Sequence, residues 1–150
     1  MNYPLPDAPS PTRFVVTDLN GDARPGVAFT SGLAKVYVML TSADESLGQP
    51  SATVTSAPGI QLVAGDVNRD GRSDLVMSAG GGVVDVLHND GTGTFPAVVA
   101  YPTGSEALTT SVGLADMNRD KRLDIVAADN AENLPIMLGA GDVGCVPVSG

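Results

Sequence analysis

One nine-residue pattern limits what this chain can fold into more than any other feature. Asp66-Val67-Asn68-Arg69-Asp70-Gly71-Arg72-Ser73-Asp74 places oxygen-bearing side chains at positions one, three, five and nine and a glycine at position six. The pattern returns 50 residues downstream as Asp116-Met117-Asn118-Arg119-Asp120-Lys121-Arg122-Leu123-Asp124. It returns 48 residues upstream, less complete, as Asp18-Leu19-Asn20-Gly21-Asp22-Ala23-Arg24-Pro25-Gly26. A period near 50 marks a repeat protein, built from small units that bury their apolar faces only by stacking on one another.

Each loop sits between two short apolar runs. Ahead of it, Phe14, Leu62 and Val112 correspond, as do Val16, Ala64 and Leu114, with Leu19, Val67 and Met117 inside the loops. This alternation predicts one strand with a buried face, seen three times. The small residues Thr17, Gly65, Gly113 and Ala115 fall where strands would crowd toward a common axis. Behind each loop come Val27-Ala28-Phe29, Leu75-Val76-Met77 and Ile125-Val126-Ala127, which complete a hairpin.

A third strand is predicted at Val36–Leu40, Val83–Leu87 and Leu134–Leu138, where Pro135, lacking an N–H, implies a sheet edge or bulge. A fourth strand is predicted at Pro96–Tyr101. Tyr3-Pro4 matches Tyr101-Pro102, so the chain is expected to begin at the tail of a fourth strand. Val146-Pro147-Val148 then matches Phe95-Pro96-Ala97. The expected fold is therefore all-β: three four-stranded antiparallel units, about 3–50, 51–100 and 101–150, forming one repeat domain.

The chemistry of the loops points to a hard cation. Ca²⁺ takes six to eight oxygen ligands at about 2.3 to 2.6 Å, which short Asp and Asn side chains on a tight turn can supply. Asp66, Asn68, Asp70 and Asp74 would offer side-chain oxygens and Arg72 its carbonyl; Asp116, Asn118, Asp120, Asp124 and Arg122 repeat the set. In the first copy Asp18, Asn20, Asp22 and Arg24 remain, but Gly26 removes the closing carboxylate, so that site is expected to be weak or empty. Gly71 would take a positive φ that costs a residue with a Cβ about 1 to 2 kcal/mol, a strain that Lys121 must bear. The metal-free alternative is a set of Asx-turns. Against it, neighbouring carboxylates repel by about 1 kcal/mol per pair even in water. An EF-hand is disfavoured, since position twelve holds Met77 and Ala127 rather than Glu, and β-rich runs stand where helices would be needed.

These residues resemble the FG-GAP or VCBS repeat family, whose Asp-x-Asn-x-Asp-Gly-x-x-Asp loop joins the first two strands of each blade. The turn Asn89-Asp90-Gly91-Thr92-Gly93-Thr94-Phe95 adds to the likeness. The resemblance implies β-propeller blades binding calcium, in an extracellular or cell-surface protein serving adhesion or ligand binding. Family propellers close with about six to eight blades and three cannot form a ring. The arc is thus expected to be completed by other copies, head to tail, or by a missing part of a longer chain.

Other readings are narrowed by composition. The 150 residues are 43% hydrophobic and 17% charged, which suits a packed domain, and a net charge of −9 disfavours nucleic acid and anionic membranes. No apolar run is long enough to span a bilayer, and Met1–Pro6 lacks the features of a secretory signal. Cys145 is the only cysteine, so neither a disulfide within the chain nor a thiolate cluster is expected. His88 reads as a hydrogen-bonded turn residue, Arg24, Arg72 and Arg122 as solvated side chains, and Gly80-Gly81-Gly82 as a hairpin turn. No general acid and base stand clear of the loops, so an enzyme is not expected. Two functions are carried forward: a calcium-stabilised structural or adhesive module, and a carbohydrate-binding propeller. The absence of Trp weighs against the second.

Overall fold

The computed structural model describes residues 3, 5, 10–104, 106–131, 134–139 and 145–147, the residues after 136 by backbone path alone. Twelve strands and no helix are found among them. They form three four-stranded antiparallel sheets, each a simple meander. The first holds β1 (Pro11–Thr17), β2 (Gly26–Ser31), β3 (Lys35–Met39) and β4 (Ser51–Val54). The second holds β5 (Gly59–Gly65), β6 (Asp74–Ala79), β7 (Val83–His88) and β8 (Ala97–Pro102). The third holds β9 (Thr109–Ala115), β10 (Asp124–Asp129), β11 (Ile136–Gly139) and β12 (Cys145–Pro147). The sheets therefore run a few residues out of phase with the sequence periods, since Ser51–Val54 completes the first sheet.

The sheets stack face to face, with β1, β5 and β9 side by side. Strand β6 is buried along its whole length because it is covered on both faces. Leu75, Met77 and Ala79 pack with Leu62, Leu87 and Phe95 against Leu19, Ala28, Val36 and Val38 of the first sheet. On the opposite face Val67, Val76, Val84 and Val86 meet Val112, Ile125 and Ala127 of the third. Burying each large aliphatic side chain contributes about 1.5 to 3 kcal/mol, so these two layers hold the sheets together. The expected crowding is found at Gly65, where a Cβ would lie 2.7 Å from Leu114 and 2.9 Å from Leu123, but not at Gly113, where it would meet nothing within 4 Å, nor at the exposed Ala115.

Several expectations need correction. Phe14 and Val16, predicted to be buried like Leu62 and Ala64, are 68% and 56% exposed, because no sheet packs on the outer face of the first one. On that face Phe29, Tyr37 and Met39 are covered, by Tyr3, Leu5, Val27 and Leu47, with the Phe29 and Tyr37 rings stacked 5.2 Å apart. Tyr3 lies in no strand, and Met117 is exposed whereas Leu19 and Val67 are buried. Pro135 precedes β11, an inner strand, and its carbonyl accepts a hydrogen bond from Ala127 N. Val148 and the side chain of Cys145 lie outside the described residues. A register shift that the sequence did not announce recurs at one place in every sheet, between residues 11 and 13, at 59 and 61, and opposite Ala128 and Asp129.

Candidate metal loops

Each acidic loop joins the first two strands of its sheet, so the fold sets three copies of one turn at equivalent positions. Their backbones agree closely. Position four has a positive φ in every copy (Gly21 75°, Arg69 65°, Arg119 65°), and so does position six (Ala23 64°, Gly71 83°, Lys121 66°). Position six was expected; position four was not, since only Gly21 advertises it. The strain carried by Arg69, Arg119, Ala23 and Lys121 is offset by hydrogen bonds from the loop's own side chains.

Those bonds follow one plan. In the second loop Asp66 accepts from Asp70 N (3.1 Å) and Gly71 N (2.9 Å), while Asn68 Oδ1 also accepts from Asp70 N (2.9 Å). Asp70 accepts from Arg72 N (2.9 Å) and from Asn68 Nδ2 (3.1 Å). The third loop repeats this: Asp116 accepts from Asp120 N and Lys121 N, and Asp120 from Arg122 N and Asn118 Nδ2. The oxygens at positions one, three and five are thus drawn onto one exposed turn.

The ninth position turns elsewhere. Asp74 is fully buried and accepts from Val67 N (3.2 Å) and Asn89 N (2.9 Å), while Asp124, also buried, accepts from Met117 N (2.7 Å). The inward carboxylate therefore ties the loop to its own second residue and, in the second sheet, to the turn after β7. Asn89 extends this link through Nδ2, which donates to Ser73 O and to Leu19 O of the first loop, both at 2.9 Å. Among the described residues no three His, Cys, Asp or Glu side chains converge as a cluster ready to hold a metal. In donor type the loops nonetheless suit a hard cation: two carboxylates and an amide oxygen on the turn, a main-chain carbonyl, and a further carboxylate behind.

The first loop is different. Asp18 accepts from Asn20 N, Gly21 N and Ala23 N at 2.7 to 3.1 Å, and the Ala23 N–H in particular holds its carboxyl below the usual range. Asp22 is likewise lowered, first by Arg24 N and then by Asn20, and its Oδ2 lies 3.1 Å from the Arg24 guanidinium. Arg24 is solvent-exposed, as expected, while making this ion pair. Arg72 is exposed too; it lies over Gly91, where a Cβ would come within 2.8 Å of its Nε, and its guanidinium is 3.9 Å from Asp70 Oδ2. Arg122 is half-buried.

His88 was expected to be hydrogen-bonded, yet its Nδ1 makes no such bond; it lies 3.7 Å from Asp74 Oδ1. The attraction of Asp74 raises its pKa above the ordinary histidine value, against the opposing effect of burial. Gly81 and Gly82 form the predicted hairpin turn with positive φ. The sequence reading missed Asp85, a buried carboxylate between the first two sheets that accepts from Ser56 N (2.7 Å) and Ser56 Oγ (2.8 Å). An acidic residue in the run Val83-Val84-Asp85-Val86-Leu87 was the available signal.

Three stacked antiparallel meanders with an acidic hairpin loop in each make this a β-rich repeat module. Residues 66–127, from the second loop through the third and into β10, match the family model of the FG-GAP-like repeat. No curated protein matches the chain. FG-GAP repeats are typical of extracellular proteins, and no helix among the described residues is long and apolar enough to cross a membrane.

Proposed function

We propose that the chain is a calcium-stabilised module of three β-propeller blades, with a structural or adhesive role outside the cell. The observation carrying this reading is that the second and third loops present Asp66, Asn68 and Asp70, and Asp116, Asn118 and Asp120, in the same turn at the same edge of two stacked sheets. Bound calcium would neutralise carboxylates that otherwise repel one another. Asp66, Asn68, Asp70 and the Arg72 carbonyl would hold one ion, with Asp74 behind, and Asp116, Asn118, Asp120, Arg122 and Asp124 the other. The module performs no chemistry in this reading; it fixes loop geometry and presents a surface to a protein or glycan. Melting with calcium and again with EDTA tests it, and unchanged melting temperatures would refute the metal role.

A second reading, carbohydrate binding, has one observation in its favour. A polar cleft of 220 Å³ lies between the first two loops, lined among others by Asp18, Arg72, Ser73 and Asn89. None of its lining residues is aromatic, so it lacks the stacking platform that sugar sites commonly use. A glycan-array screen with calcium present separates the two readings.

A further inference from the structure

The outer face of the first sheet is the same surface, residue for residue, as the faces buried between sheets. Phe14, Val27, Phe29 and Met39 stand at the positions of Leu62, Leu75, Met77 and Leu87 in the second sheet, which pack around Leu19 of the first. In the first sheet these four residues, with Tyr3, Leu5 and Pro11, line an open apolar cavity of 210 Å³. The far face of the third sheet is the other half of such an interface. Met117 is 51% exposed where its counterparts Leu19 and Val67 are buried, and Leu134 is 63% exposed where Val36 and Val84 are buried. Val126 and Ile136 are half-buried where Ala28, Val38, Val76 and Val86 are fully so.

From this equivalence we infer that the occupant of the cavity is a second copy of this chain, docked head to tail. The outer face of its third sheet lies on the outer face of the first, with Met117 filling the place against Phe14, Val27, Phe29 and Met39 that Leu19 fills against Leu62, Leu75, Met77 and Leu87. Tyr3 already marks the approach. It packs on Phe29, Tyr37 and Met39, as Tyr101 of β8 packs on the layer between the second and third sheets. Because the two faces differ, the contact is heterologous: a docked pair as a whole keeps one face of each kind free, so the assembly grows until it closes into a ring or extends as a filament. The inference rests on reading the three sheets as equivalent blades, but not on calcium.

Phe14→Glu and Met117→Glu test it, since both side chains are largely exposed in the single chain and the variants should fold, as far-UV circular dichroism can verify. Sedimentation at micromolar concentration should show a wild-type particle at least twice 15.2 kDa and each variant alone as a monomer. Mixing the two variants restores one intact pair of faces, so a dimer should form and grow no further. A wild-type monomer, or a Met117→Glu variant that still dimerises through like faces, would overturn the proposal. EDTA distinguishes this from the calcium reading: chelation that leaves melting unchanged while association persists refutes only the metal role. A calcium-dependent melt with a monomeric wild type refutes only the docking.

Discussion

The first and second loops share a backbone and differ in what lies beneath it. Both carry positive φ at positions four and six, and both fold their first and fifth acids onto main-chain N–H groups. Below the second loop Asp74 is buried and grips Val67 N and Asn89 N. Below the first, Gly26 occupies that place with no room for a side chain: a Cβ would lie 3.0 Å from Met39 O and 3.2 Å from Leu19 Cδ1. The first loop closes on itself more tightly, with three N–H groups on Asp18 against two on Asp66, and with Arg24 3.1 Å from Asp22 where Arg72 is 3.9 Å from Asp70. The turn shape therefore does not require the ninth carboxylate. That carboxylate links the loop to the sheet.

The largest effect should come from removing the link. Asp74→Ala leaves two buried N–H groups without their acceptor and is expected to cost about 3 kcal/mol, read as a lower urea midpoint. A loss within the scatter of surface substitutions would show that the inward carboxylate is not structural. A smaller loss is expected for Gly26→Asp, which should not create a calcium site; crowding against the Met39 carbonyl should destabilise it by about 1 to 3 kcal/mol. If that variant instead gained both stability and a bound ion, the two loops would differ only by one missing ligand.

The smallest effect concerns the turn between β7 and β8. The hydroxyls of Thr94 and Thr92 hold the Asp90 carboxyl down at about 2, against 3.8 for the free group. The folded protein thus favours the ionised form. This stabilisation is complete above 3.8 and fades as pH falls from there toward 2. Wild type should therefore lose its melting-temperature advantage over Asp90→Asn within that window and keep it at higher pH. A difference that is constant with pH would mean that the charge is irrelevant to the turn.

Much of the fold was legible because the loops recur. Once Asp18, Asp66 and Asp116 were aligned, the strands on either side followed, and ten of the twelve lie wholly or largely where apolar runs and turn residues put them, β4 and β12 being the least marked. What the alignment could not show was environment. Phe14 and Leu62 are equivalent in sequence, yet one is exposed and the other buried, because burial depends on whether a sheet lies opposite. The loops were legible as candidate ligand sets, but not the inward turn of Asp74 and Asp124, which depends on N–H groups at Val67, Met117 and Asn89. Nor did anything local in Arg69 or Arg119 signal a positive φ. Asp85 was passed over because its partner, Ser56, is 29 residues away.

Calorimetric titration of the chain with calcium bears on the central claim most directly. The wild type should bind two ions, adding about 3 kcal/mol of stability per site at a hundredfold excess over Kd. Asp70→Ala and Asp120→Ala should each lose one ion, and Asp22→Ala should keep both. Absence of binding heat and no calcium-dependent gain in stability would contradict the account. Equal losses in all three variants would contradict the distinction drawn between the first loop and the other two.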